Sequence, residues 1–135
     1  MADAAAAHLT TAFQDAASPW SRPAGHRLAR RLRRDTPGSQ TAVLRELWGR
    51  HPEDLTAARG LAIALERRRE IEAALAVCAE AEAVLASWAG WRRRLAVVAA
   101  RDSGGSEAEW IRRRERLSRR ARRGREAALP LAGSG

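Results

Sequence analysis

The stretch PEDLTAARGLAIALERRREIEAALAVCAEAEAVLA, residues 52–86, carries the clearest indication of the fold in this sequence. Apolar residues recur every three or four positions in each half of it, which is the period of an α-helix with one buried face. Pro52 and the two carboxylates that follow it are typical of a helix start, because proline suits the first turn and acidic groups interact favourably with the helix dipole. The stretch therefore predicts two antiparallel helices, about 53–67 and 70–86, joined by a tight turn.

The same periodicity continues on both sides of this pair. Segments rich in Ser, Pro and Gly interrupt it, and Ser106 with Glu109 three residues later is a capping box that opens a helix. We predict five further helices, at about 3–17, from Pro23 to 35, 40–50, 87–101 and 107–125. The predicted organisation is an N-terminal helix at 1–18, a helical array at 19–126 with an Arg-rich terminal helix, and a disordered tail at 127–135. The predicted fold class is all-α, either a short α-hairpin solenoid of about three helix pairs or a small helical bundle.

The sequence also repeats itself with a period of 33 or 34 residues. Leu28, Ala29 and Leu32 are each followed 33 positions later by the same residue type, at Leu61, Ala62 and Leu65 respectively. Leu61, Ala62 and Ala74 recur in the same way 34 positions later, as Leu95, Ala96 and Ala108. A fixed period of this size is typical of stacked helix pairs, each of which buries its apolar face against the next pair.

In this pattern the stretch 52–86 resembles a tetratricopeptide repeat, whose two helices carry small and large residues at set positions. The matching positions here are Ala58, Leu61, Ala62, Leu65, Ala74, Cys78, Ala81 and Ala86, the last of these in place of the usual Pro. Small residues such as Ala62, Ala74 and Ala81 would let the helix backbones approach closely. The alternative is an Ala-rich helical bundle whose spacings agree by chance.

The resemblance implies a concave groove lined by the first helix of each pair. The partner-binding positions that it implies are Thr56, Arg59, Ile63, Glu66 and Arg67 in the middle unit, Arg93, Val97, Ala100 and Arg101 in the last unit, and His26, Arg30 and Arg33 in the first. A row of Arg would suit an acidic peptide, because guanidinium groups pair bidentately with carboxylates. The predicted function is therefore a protein-binding scaffold, with Arg59, Ile63, Arg67, Arg93 and Arg101 as its main contacts.

The chain is strongly basic, with a formal net charge of +9, and all of its 25 basic residues are Arg. Such a charge permits binding to nucleic acid, to anionic lipid or to an acidic protein, and the Ala and Arg bias is also typical of a GC-rich bacterial genome. The segment 107–126 carries nine Arg against four Glu. An alternative function is therefore nucleic-acid binding through Arg112, Arg113, Arg116, Arg119, Arg120 and Arg123. The other interpretation of this segment is a terminal helix that caps the array with a narrow apolar stripe.

Nothing in the sequence indicates a catalytic residue, a cofactor or a metal site. The three histidines, His8, His26 and His51, are isolated, and Cys78 falls on an apolar helix face. No apolar run is long enough to span a membrane and the first residues do not form a secretory signal, so we predict a cytoplasmic, non-catalytic protein. We expect the five tryptophans to lie mostly in the core, since base stacking would need a Trp that is exposed beside Arg.

Overall fold

The architecture of the chain is all-α, as predicted. A computed structural model describes the backbone of residues 3–87 and 107–133, and the side chains of 4–87 and 107–127. Within those ranges there are six helices and no strand: α1 (Asp3–Gln14), α2 (Ser21–Asp35), α3 (Pro37–Arg50), α4 (Leu55–Arg67), α5 (Ile71–Ser87) and α6 (Glu107–Gly133). Each described helix packs against the next one along the chain, so the helices form adjacent pairs. The predicted helix at 87–101 lies outside the described residues except for its first residue, Ser87, which ends α5. Ser106, the first residue of the predicted capping box, also lies outside them.

The pair formed by α4 and α5 packs through small side chains. Ala62, Ala74 and Ala81 have no exposed surface at all, which confirms that these three small residues face the core. The turn between the two helices is closed by hydrogen bonds from the amide of Arg69 to the carbonyl of Glu66 (3.0 Å) and from the amide of Glu70 to the carbonyl of Leu65 (2.9 Å). Arg69 has a φ of 61°, the left-handed conformation that such a turn requires and that glycine adopts more easily.

The first three helices meet at Gly25. A Cβ atom at this position would lie 2.8 Å from two ring carbons of Phe13 in α1 and 2.9 Å from Cδ2 of Leu47 in α3. Both neighbours are buried, as are Leu28 and Ala29 on the same side of α2. Glycine is therefore what allows α1, α2 and α3 to converge at this distance.

Helix α1 ends at Gln14, three residues earlier than predicted. The carbonyl of Phe13 accepts hydrogen bonds from Ser21 Oγ (2.6 Å) and Arg50 Nη1 (2.8 Å), and the Arg50 guanidinium also lies 4.4 Å from the centre of the Phe13 ring. Carbonyls at a helix C-terminus lack partners within the helix, and a cation there interacts favourably with the helix dipole. A tertiary contact between three helices thus sets this boundary.

Two other helices are longer than predicted. Helix α3 begins at Pro37 rather than near residue 40, because proline in the first turn needs no amide hydrogen and its φ suits a helix. Helix α6 continues to Gly133, whereas the sequence predicted an end near 125 and a disordered tail from 127. Its apolar stripe packs inward, with Trp110 and Leu117 fully buried. None of the helices in the described ranges combines the length and the apolar character needed to cross a membrane.

Candidate binding groove

A groove of about 230 Å³ runs between α2 and α4, with the start of α3 at its base. Eleven residues line it: His26, Ala29, Arg30 and Arg33 of α2, Gln40 and Leu44 of α3, and Thr56, Gly60, Ile63, Ala64 and Arg67 of α4. Six of these were predicted as ligand-binding positions from two separate repeat units, namely His26, Arg30, Arg33, Thr56, Ile63 and Arg67. The fold therefore brings the two sets together in one place.

The floor of the groove is apolar. Ala29, Leu44 and Ala64 are buried beneath it and Ile63 is half-buried, so a ligand side chain would meet hydrocarbon there. Gly60 helps to shape this floor, since a Cβ atom at that position would lie only 3.2 Å from Cδ2 of Leu44. A small residue in α4 thus lets α3 and α4 pack closely below the opening.

The rim of the groove is positively charged. Arg30, Arg33 and Arg67 are exposed, and within the described part of the chain none of them forms an ion pair with an acidic residue. The residues that line the groove include neither Asp nor Glu. The guanidinium groups of Arg30, Arg33 and Arg67 are thus available to a ligand. Carboxylate suits them well, because the planar guanidinium pairs with it through two hydrogen bonds.

A buried carboxylate, Asp54, holds the two walls of the groove together. It caps the N-terminus of α4 by accepting a hydrogen bond from the amide of Ala57 (3.1 Å), and it also accepts from Arg22 Nε (2.8 Å) and lies 2.7 Å from His26 Nε2, both in α2. Burial by itself raises the pKa of Asp54, but the hydrogen bonds from His26, Ala57 and Arg22 outweigh it and hold that pKa well below its usual range. Asp54 therefore stays ionised and fixes His26 in the groove wall.

Two predicted contact positions of α4 lie outside the groove. Glu66 points towards α6, where it pairs with Arg116 Nη2 (2.7 Å) and Arg120 Nη1 (3.0 Å). Arg59 is exposed and does not line the groove, and its charge contributes to lowering the pKa of Arg113, for which burial is the main cause. The remaining predicted contacts, Arg93, Val97, Ala100 and Arg101, lie outside the described residues.

Several arginines of the Arg-rich helix α6 form ion pairs with glutamates of α4 and α5. In addition to the two pairs with Glu66, Arg114 Nε lies 2.5 Å from Glu82 and Arg125 Nη1 lies 2.7 Å from Glu72, both acceptors in α5. Arg113 is half-buried, with its guanidinium 5.0 Å from the centre of the Trp110 ring. Of the six arginines predicted for nucleic-acid binding, Arg113, Arg116 and Arg120 are thus engaged by the protein itself, while Arg112, Arg119 and Arg123 are exposed.

Sequence reasoning missed two features of this region. Asp54 was interpreted as a first-turn carboxylate, although an Asp just before an apolar helical run is also the signal for an N-cap residue. The concentration of charge on α2 is the second feature. This helix holds six Arg and one Asp, and five of these arginines (27, 30, 31, 33 and 34) are exposed without an ion-pair partner among the described residues. Counting charge by helix would have found it.

The chemistry-bearing residues elsewhere are separate from the groove. Cys78 is fully buried, and burial raises the pKa of its thiol to about 11, which makes it a poor nucleophile. Among the described residues no three His, Cys, Asp or Glu side chains are grouped so that they could hold a metal ion. No family model, no curated protein and no solved structure matches this chain.

Proposed function

We propose that this protein is a non-catalytic interaction module that binds an acidic peptide, or an acidic segment of a partner protein, in the groove between α2 and α4. The observation that carries the proposal is the combination of an apolar floor with three rim arginines, Arg30, Arg33 and Arg67, that form no ion pair with any acidic residue described in the structure. Stacked helix pairs with buried small residues at Ala62, Ala74 and Ala81 support a tetratricopeptide-like scaffold for this groove.

The groove has the features that recognition of a short acidic segment needs. A ligand side chain placed on Ile63 would bury apolar surface, while carboxylates on either side would reach Arg33 on one wall and Arg67 on the other. Charge-assisted hydrogen bonds of this kind are stronger than neutral ones, but on an exposed rim they are weakened by solvent and salt. We therefore expect binding that is modest and that weakens as salt is added.

The test is fluorescence anisotropy with a labelled Glu-rich peptide. Replacing Arg33 and Arg67 together by Ala should weaken binding roughly 10-fold, since two exposed ion pairs of up to about 1 kcal/mol each would be lost. The control is the double replacement of Arg45 and Arg119, which removes the same charge from exposed positions outside the groove. A second variant, Ile63→Glu, should abolish binding because it places a like charge on the floor. Equal losses in the groove variant and the control would contradict the proposal.

A further inference from the structure

Trp20 is the one large hydrophobic residue in the described part of the chain that is strongly exposed, with 72% of its surface accessible. It lies immediately before α2 and has a helical backbone conformation, with φ −85° and ψ −11°. Its position can therefore be treated as an extension of the helix by one residue. An indole exposed in this way leaves most of its apolar surface in water, where a ligand could cover it.

Trp20 is aligned with arginines along one side of α2. Seven residues make nearly two helical turns, so Trp20, Arg27 and Arg34 follow each other with a drift of only about 20° and a rise of roughly 10 Å per step. Arg31 lies one turn beyond Arg27 on the same side. The opposite side of the helix, which includes Gly25, is buried against α1 and α3. We call Trp20, Arg27, Arg31 and Arg34 the α2 stripe.

The α2 stripe is free to take up negative charge. Arg27, Arg31 and Arg34 are exposed, and none of them pairs with an acidic residue that the structure describes. Beside the stripe, an open groove of about 780 Å³ lies between α1 and α2, with Leu9 and Ala12 among its apolar lining. The surface is thus a row of cations with an exposed aromatic ring at one end.

From this alignment we infer that the α2 stripe binds single-stranded nucleic acid, with a base stacked on Trp20 and phosphates contacting Arg27, Arg31 and Arg34. Proteins that bind single strands combine a positively charged track for the backbone with aromatic side chains on which bases stack. An acidic peptide would use the arginines and leave the indole without a role, and a duplex would keep its bases paired and out of reach. This surface is distinct from the peptide groove, because it does not include Ile63 or Arg67.

The test is fluorescence anisotropy with a labelled oligothymidylate about twelve nucleotides long, which falls within the site sizes of single-strand-binding proteins. Trp20→Ala should weaken binding between roughly 5-fold and 150-fold, as expected when one stacked base is lost, without changing the dependence on salt. The triple replacement of Arg27, Arg31 and Arg34 by Ala should instead reduce the slope of log affinity against log salt by about 2, because three phosphate contacts disappear. All four side chains are exposed, so circular dichroism should show unchanged helix content.

Matched controls separate this inference from its rivals. Replacing Arg112, Arg119 and Arg122 of α6 by Ala removes the same charge and should leave affinity nearly unchanged; a loss equal to that of the α2 triple variant would overturn the inference in favour of a surface-wide effect. The inference would also be overturned if the protein did not bind the oligonucleotide at low salt. The same applies if duplex and single-stranded DNA bound with equal affinity and Trp20→Ala had no effect. The groove variant with Arg33 and Arg67 replaced should bind the oligonucleotide normally. Oligonucleotide binding by this groove variant is expected whether or not the variant still binds the peptide. Failure of the peptide proposal therefore does not decide the outcome for the α2 stripe, and the two proposals can fail separately.

Discussion

Replacing Gly25 by Ala adds one methyl group where three helices meet. The new Cβ would be 2.8 Å from the Phe13 ring and 2.9 Å from Leu47 Cδ2, whereas carbon atoms in favourable contact are about 3.5–4.0 Å apart. Neither neighbour has an easy way to withdraw. The Arg50 guanidinium lies over the Phe13 ring, 4.4 Å from its centre, and Leu47 has no exposed surface. The overlap must therefore be relieved by moving α1 or α3 away from α2.

The expected size of the effect follows from two opposing contributions. Overpacking a well-filled core costs typically about 1–3 kcal/mol, and overlaps on two sides place Gly25→Ala near the upper end. Removing a glycine from the interior of a helix gains up to about 1 kcal/mol. The net expectation is a loss of about 2 kcal/mol in the free energy of unfolding, and a decrease in Tm on the order of 8 °C for a chain of this length.

Two further glycines provide graded controls for the same substitution. Gly124 is an exposed residue of α6 with no atom within 4 Å of an added Cβ, so Gly124→Ala should stabilise the protein by up to about 1 kcal/mol. Gly60→Ala meets only the flexible end of Leu44 at 3.2 Å and should be close to neutral. Urea denaturation followed by far-UV circular dichroism measures all three. If Gly25→Ala were as stable as Gly124→Ala, the convergence of helices at Gly25 described above would be refuted.

Two other stability predictions follow from helix ends. Asp54→Asn should lower the free energy of unfolding by about 1.5–3 kcal/mol at neutral pH, because it removes charge-assisted hydrogen bonds while keeping a residue that can cap α4. The pKa of Asp54 is lower in the folded than in the unfolded state, so its contribution to the free energy of unfolding is present above about pH 4 and is lost as the pH falls further. The difference in free energy of unfolding between wild type and Asp54→Asn, measured in urea, should therefore shrink on acidification. A difference that stays constant with pH would contradict this reasoning. Arg69→Gly should raise the free energy of unfolding by about 1 kcal/mol, because glycine adopts the φ of 61° without steric cost. Arg69→Ala should give no gain, because alanine has the same steric cost at this φ as arginine. Equal effects of the two variants in the same assay would show that φ is not the cause.

The helices themselves could be predicted from the sequence because a helix with one buried face leaves a periodic pattern of apolar residues. This is why α4 and α5 begin and end within two residues of their predicted limits. The end of α1 could not be found in this way. It depends on Arg50, which is far along the chain and reaches the carbonyl of Phe13 only after folding.

The candidate groove was predictable in part. The repeat resemblance predicted one concave groove that includes Arg33 and Ile63, and both line the same opening, but it did not predict that Gln40 joins them. It also grouped Glu66 with the groove residues, whereas the structure pairs Glu66 with α6. Charge patterns along a helix indicate which residues are basic and do not indicate which of them are already neutralised.

The spacing of apolar and small residues was enough to predict that this chain is helical, that α4 and α5 form a pair joined by a tight turn, and that Ala62, Ala74 and Ala81 face the core. These properties are local, since they depend on side-chain spacing over one or two helical turns. Which arginines pair with acidic residues of the protein itself depends instead on contacts between helices that are distant in the sequence. An ion pair such as that between Glu66 and Arg116 joins residues 50 positions apart, and whether it forms depends on how the helices are placed in space.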